Sequence, residues 1–467
     1  MKKPAMDMLA VTAGDVGARA VGFLITLYLA RVLAPSSFGL ISIGLAVLGY
    51  LALLGSPGIQ MVETRNAAAT EGGMTDRAGA ILSLRLALAP LLIAAAYFVS
   101  VGYGVPGETR LVIGLYSLSL VPLALSLDWL FQGKEDFRRV VISRLLTAVV
   151  FGLLVVVLVR SASAAALTPV AFLGGNAAGA AYLGAGYLRR YGRPSLRWDP
   201  SAWRRLLGDN APAGLAMLLA QSVTNLPPIV IGIMGSIEEA GIFSAGMKLI
   251  FVLMIVDRTI NALFLPVATR FAVGRKEEFP ELLSAALGAV IVTMVPVLIC
   301  TAIVARPLMD LLFGEQYEGA VPVVRILSGY ILLTLLNSLF VCTLMAFGRT
   351  RAYAIVVGGG AVILCAAVIG GTAFAGMTGS AWGVVAGEAL VLAFLVFAAS
   401  RLTTLPPVRI VIKPVAAGAA MAIAAVLLAG ESPWLSACAS LAVFAVVLVA
   451  LGGLPWSEIR YLKERLV

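Results

Sequence analysis

The chain has 467 residues, of which 61% are hydrophobic and 12% charged, with a net charge of +10 and a mean hydropathy of +1.01. Soluble domains carry roughly 45–50% apolar and 25% charged residues, so the composition excludes a water-soluble fold and points to a polytopic membrane protein. The polar clusters between apolar runs are short, which excludes a separate soluble catalytic domain.

Apolar windows of about 19 residues predict fourteen transmembrane helices, at 9–33, 38–61, 79–102, 110–131, 138–160, 167–188, 206–234, 239–264, 281–304, 321–346, 352–374, 379–400, 410–429 and 434–453. The runs lack the period-two alternation of barrel strands, so the predicted fold class is an all-α integral membrane protein. The amino end, MKKPAMDMLAVTAG, is basic but has only a short apolar stretch before Asp15; it reads as an uncleaved first span rather than a signal peptide. The four cysteines (Cys300, Cys342, Cys365, Cys438) lie in apolar runs, and the chain has no histidine, so no metal or cofactor is expected.

One wrong span would reverse the charge bias of every later loop. Of the 34 basic residues, 24 fall at the termini or in even-numbered gaps and five (Arg31, Arg110, Arg160, Arg306, Arg325) in odd-numbered gaps. By the positive-inside rule both termini are cytoplasmic. Topology and anionic lipid account for the net charge, and no nucleic-acid partner is expected.

An internal repeat divides the chain at its most basic loop, RRYGRPSLRWDPSAWRR. FGLISIGLA (38–46) matches AGIFSAGMK (240–248), with Gly39 over Gly241, and WLFQGKEDF (129–137) matches LMAFGRTRA (344–352). Both pairs are displaced by six spans, an even number, so the copies are parallel. The expected organisation is an N-lobe (1–190), a basic cytoplasmic linker (191–205), a C-lobe (206–403), and two further helices with a cytoplasmic tail (404–467).

ARVLAPSSFGLISIGLAVLGYLALL, joining spans 1 and 2, resembles the corresponding corner of Wzx-type oligosaccharide flippases, in the superfamily of multidrug and toxin extruders and lipid II flippases. The resemblance continues through WLFQGKEDFRRVVISRLL, GIFSAGMKLIF, LFGEQYEGAVPVVRILSGY and AFGRTRAYAIV, and covers essentially the whole chain. It implies two six-helix lobes around a central cavity, alternating access, and residence in the bacterial cytoplasmic membrane. The implied partners are a lipid-linked oligosaccharide, membrane lipids and polysaccharide polymerase or assembly proteins, with the chain acting as a monomer.

Such a substrate presents an anionic phosphate, a polar glycan and a polyprenyl tail, so its carrier needs cations and hydrogen-bonding groups in a wet cavity. At 1.5 Å per residue, Arg19 and Lys248 fall near the bilayer midplane and Arg85 lies shallower on the cytoplasmic side; the three form the phosphate-facing candidates. The alternative for each is an interhelical salt bridge or, for Arg85, snorkelling to the headgroups. Asn176, Gln221 and Asn225 are sugar-contact candidates, with interhelical hydrogen bonding as the alternative. Glu388, the deepest acid, reads as a proton or cation carrier or as half of a permanent ion pair. Asp15, four residues before Arg19, can hold that arginine, and Asp128, Asp209 and the Asp257/Arg258 pair, near cytoplasmic helix ends, read as caps or gate pairs.

There is no G-x-x-x-x-G-K-[ST] sequence, so ATP hydrolysis by a P-loop is excluded. The favoured expectation is a non-enzymatic flippase carrying a polyprenyl-phosphate-linked oligosaccharide outward. The alternatives are a cation-coupled multidrug extruder, whose cavity would be mainly acidic, and a membrane polymerase or glycosyltransferase, which the short outer loops disfavour.

Overall fold

The computed structural model describes residues 2–69, 74–428 and 430–453; the side chains of residues 2–13, Asp15, Met74, Ile255, Val256, Arg258, Thr259, Ala262 and Thr350 are outside that description. All regular structure among the described residues is helical, and the chain divides into two compact units, 1–241 and 242–467. Among the described residues ten helices are long and apolar enough to cross a membrane, or eleven when a bent pair is taken as one span.

Unit 1 contains α1 (Lys2–Val32), α2 (Pro35–Gly55), α3 (Ile59–Ala69), α4 (Met74–Gly102), α5 (Gly107–Ser117), α6 (Leu120–Leu125), α7 (Asp128–Gly133), α8 (Phe137–Leu158), α9 (Thr168–Tyr191), α10 (Pro200–Ala220) and α11 (Ser222–Met234), and the first turn of α12 (Ile237–Leu253). The predicted span 206–234 is broken: α10 and α11 meet at Gln221 with a bend of 56°. Pro227 and Pro228 lie inside the second segment, where each removes a backbone donor. A Cβ on Gly39 would stand 1.9 Å from the Ile237 carbonyl oxygen, and one on Gly241 2.0 Å from that of Pro35. This reciprocal contact joins the glycines that the internal repeat aligns, and only glycine allows it.

The WLFQGKEDF stretch has a structural role. Trp129, Leu130 and Phe131 of α7 are fully buried beside Ile59, Ile81 and Tyr187. Asp136 then caps α8, accepting from the Arg139 backbone N–H, and pairs with Arg139 at 2.5 Å and Arg190 at 3.4 Å, tying the start of α8 to the end of α9.

Unit 2 continues α12 and adds α13 (Ile255–Gly274), α14 (Phe279–Leu312), α15 (Ala320–Ala346), α16 (Thr350–Ser400), α17 (Arg409–Leu427) and α18 (Pro433–Ala450). The predicted span 239–264 is interrupted between α12 and α13. The predicted pair 352–374 and 379–400 is one hairpin, α16, reversing at Ala375 and at Gly376, whose φ of 55° favours glycine. Its arms touch backbone to backbone at Gly371 and Gly379. α17 and α18 pack on α14 through Ile291, Val295, Met421 and Phe444.

Candidate functional site

α8 and α9 approach closely because α9 presents Gly175 and Gly179 to α8. A Cβ on Gly179 would lie 2.1 Å from Thr147 Oγ1, and one on Gly175 2.7 Å from the Thr147 carbonyl oxygen. The Ser143 hydroxyl donates to the Gly179 carbonyl at 3.1 Å across the same crossing. Parallel to α8 runs α1, with Gly17 against Leu145, Gly152 against Ile25, and the Tyr28 hydroxyl donating to the Val159 carbonyl at 3.0 Å.

This arrangement leaves a cavity of about 420 Å³ inside unit 1, walled by α1, α6, α8, α9 and the start of α7. Its charged lining is Arg19, Arg144 and Asp128; its uncharged polar lining is Ser126, Ser143, Thr147 and Asn176. Arg144 sits two turns into α8, about 10 Å from its start. Among the described residues two guanidiniums stand against one carboxylate, a cationic lining suited to bidentate binding of a phosphate. Asn176 donates its Nδ2 to the Phe172 carbonyl at 2.8 Å, which leaves its carbonyl oxygen to accept from a hydroxyl.

Arg85 stands behind this wall. It is 5% exposed, and its guanidinium donates to the Ser126 carbonyl at 2.9 Å and the Ser56 hydroxyl at 2.6 Å. It thereby joins the end of α2 to the α6–α7 corner that carries Ser126 and Asp128. A second buried network lies at α3, α4 and α10: Glu63, fully buried, pairs with Arg77 at 2.5 and 2.9 Å and accepts from Asn210 at 3.4 Å.

Gln221 and Asn225 lie outside this pocket. Gln221 is at the α10/α11 break, and buried Asn225 packs against Gly49 of α2. Asp15 and Arg258 have side chains outside the described residues. Lys248, on α12 in unit 2, is half-buried and makes no hydrogen bond or ion pair among the described residues.

Unit 2 holds its own polar cluster. Asn337 Nδ2 donates to Glu388 Oε2 at 2.5 Å, and the adjacent Ser338 hydroxyl donates to Asp257 Oδ1 at 2.5 Å. Asn261 donates to the same Asp257 oxygen at 3.2 Å and accepts from the Cys342 thiol at 3.3 Å. Neighbouring residues of α15 thus hold one carboxylate each, from α16 and α13. Among the described residues no group of three or more Cys, Asp or Glu side chains is placed to hold a metal ion.

Arg144, Asn337 and Ser338 were not among the sequence-derived site residues, and Asp128 was expected only as a cap or gate. Arg144 had one signal, a cation within an apolar run, but helical depth does not say which neighbour a side chain faces.

No curated protein sequence matches the chain. Among solved structures, the fold is shared with the lipid II flippase MurJ in an inward-closed conformation, at TM-score 0.78 and 10% identity over 97% of this chain and 99% of that one. It is shared too with an inward-facing multidrug resistance MATE family transporter of the MOP superfamily, at TM-score 0.67 and 14% identity over 82% and 94% of the two chains. A MOP superfamily transporter from Pyrococcus furiosus, described as having a binding pocket of reverse polarity, matches at TM-score 0.53 and 16% identity over 85% and 94%. The polysaccharide biosynthesis protein family model matches residues 6–272, more than half of the chain, and the protein belongs to that family.

Proposed function

We propose that the protein is a multi-pass carrier of the bacterial cytoplasmic membrane, with cytoplasmic termini, that moves a polyprenyl-phosphate-linked oligosaccharide to the outer face for surface polysaccharide assembly. It works by alternating access of two lobes, 1–190 and 206–403, and forms or breaks no covalent bond. Family membership supports the pathway and the shared fold supports carriage. The observation that carries the substrate class is the cationic, hydroxyl-lined cavity at Arg19, Arg144 and Asn176.

In this reading Arg19 and Arg144 take the phosphate, while Asn176, Ser143 and Thr147 face the sugar nearest to it. Charges at this depth are tolerable because the cavity admits water and Asp128 shares the pocket. Arg85 is a positioning residue, since it fixes the corner bearing Asp128. Lys248, on α12, is a phosphate-binding candidate within unit 2. Gln221 permits bending at its break, with Asn225 anchoring α11 to α2.

Glu388 and Asp257 form the coupling element. Asn337 and Ser338 follow one another on α15, so a proton or cation taken up at either carboxylate changes the bonding of one α15 segment. The same acid pair favours a second reading, a cation-coupled multidrug extruder. A pocket with two arginines opposes it, because a cationic drug would meet like charge.

Deleting the gene and measuring the sidedness of polyprenyl-linked glycans tests the proposal. Accumulation at the cytoplasmic face is expected. Unchanged glycans with new sensitivity to cationic dyes would favour the extruder.

A further inference from the structure

Unit 1 contains a second concavity, between α4 and α10, of about 630 Å³. Leu84, Leu88 and Leu91 face it from α4, and Leu207 and Ala211 from α10. The spacings of three and four residues place each set on one helical stripe. Arg204 is the charged residue of the lining and stands at one end with Trp203. From Arg204 to Ala211 the α10 wall runs about 10 Å.

The polar end is built by the basic linker. The Ser195 hydroxyl donates to Asp76 at 2.5 Å, that of Ser83 donates to the Arg197 carbonyl at 2.9 Å, and the Trp203 indole N–H donates to Ser83 Oγ at 3.0 Å. These bonds lay the linker along α4 and fix Trp203, whose ring meets Trp198 edge to face with centroids 5.5 Å apart. Arg193, Arg197, Arg204 and Arg205 are exposed and form no ion pair among the described residues. Of the nearby acids, Asp76 holds Ser195, and Asp199 caps α10 through Ser201 and Ala202 while facing the charge of Arg205.

We propose that this groove binds an anionic phospholipid of the surrounding bilayer, with one acyl chain between α4 and α10 and the phosphate at Arg204, flanked by Arg197 and Arg205. The walls offer hydrocarbon an apolar surface, and basic pockets between helices at the membrane surface select anionic headgroups. The bound lipid fastens the linker and α10 to α4, at a place distinct from the Arg19 cavity.

Lipid retained by the full-length protein, exchanged into nanodiscs of phosphatidylglycerol and phosphatidylcholine and read by native mass spectrometry, tests this. The wild type is expected to keep phosphatidylglycerol preferentially. Arg204→Gln should lower that preference about fivefold, the effect of one cation near the surface, without lowering phosphatidylcholine retention. Gly208→Phe should lose both lipids; no heavy atom lies within 4 Å of a Cβ there, so the ring fills the groove without displacing backbone. Ala87→Phe, from the opposite wall, serves if that variant does not fold. Equal phosphatidylglycerol retention in all variants would overturn the proposal. So would one-for-one displacement by polyprenyl phosphate, which would assign the groove to the carried lipid. Transport is not the readout, so either failure leaves the carrier reading intact.

Discussion

Substituting Arg85 and Arg19 in parallel separates positioning from binding. In Arg85→Ala, two hydrogen bonds from a charged donor are lost, each contributing about 1.5–3 kcal/mol, and the Ser126 carbonyl loses its guanidinium donor. Against this, the desolvation cost of a guanidinium only 5% exposed is returned. The net destabilisation is about 2–4 kcal/mol, a shift of roughly 30- to 1,000-fold in the unfolding equilibrium. Arg85→Lys should recover only part, because one ammonium cannot reproduce the planar fork that reaches two acceptors. Arg19 is exposed and lines the cavity, so Arg19→Ala should destabilise less than Arg85→Ala while abolishing binding of a polyprenyl-phosphate glycan. Thermal unfolding of the purified proteins in detergent, beside substrate binding, reads both effects. If Arg85→Ala kept full stability and lost binding, Arg85 would be a substrate contact and the positioning argument would fail.

Gly179→Val places a Cβ against Thr147 Oγ1 and forces α8 from α9; it should cost about 1–3 kcal/mol and weaken substrate binding through Arg144. Gly184→Ala, with open space at its Cβ, should do neither, and equal behaviour of the two would contradict the crossing's role. Glu388→Gln and Asp257→Asn should each remove the response of transport to an imposed proton or sodium gradient while leaving binding intact; variants that respond normally would exclude this pair from coupling. Asp199 lies ahead of α10, and the Ser201 hydroxyl, with the Ala202 and Ser201 N–H groups, holds its carboxyl below the usual carboxylate range. A depressed folded pKa gives stability present above the unfolded value and lost as pH falls through the folded one. Tryptophan fluorescence near α10 should therefore hold in mild acid and change only below the ordinary carboxylate range, whereas Asp199→Ala should show no such transition.

Hydropathy located the helical segments well because burying an apolar run of bilayer length needs no knowledge of neighbours. Gly39 and Gly241, which align in sequence, touch in the fold. The break at Gln221 was less visible, since a 29-residue apolar run (206–234) satisfies the same hydropathy test whether straight or bent. Pro227 and Pro228 mark its second segment, but proline alone does not fix where a helix bends. The site was legible as an inventory of charges in apolar runs. Arg19 and Asn176 line one pocket, and Arg144 enters it because Gly175 and Gly179 bring α9 close to α8, a tertiary fact. Arg85 shows the reverse: its depth along α4 follows from counting, while its engagement by Ser56 and Ser126 depends on where α2 and α6 end.

Transbilayer movement in proteoliposomes tests the central claim most directly. The purified protein is reconstituted with a fluorescent polyprenyl-phosphate-linked oligosaccharide, and exposure of the glycan is followed with a membrane-impermeant glycosidase. Movement of the intact lipid by the wild type is expected, with its loss in Arg19→Ala and Arg144→Ala proteins that remain folded. Movement at wild-type rate in both variants, or no movement by the wild type alongside gradient-driven extrusion of a cationic dye, would contradict the central claim.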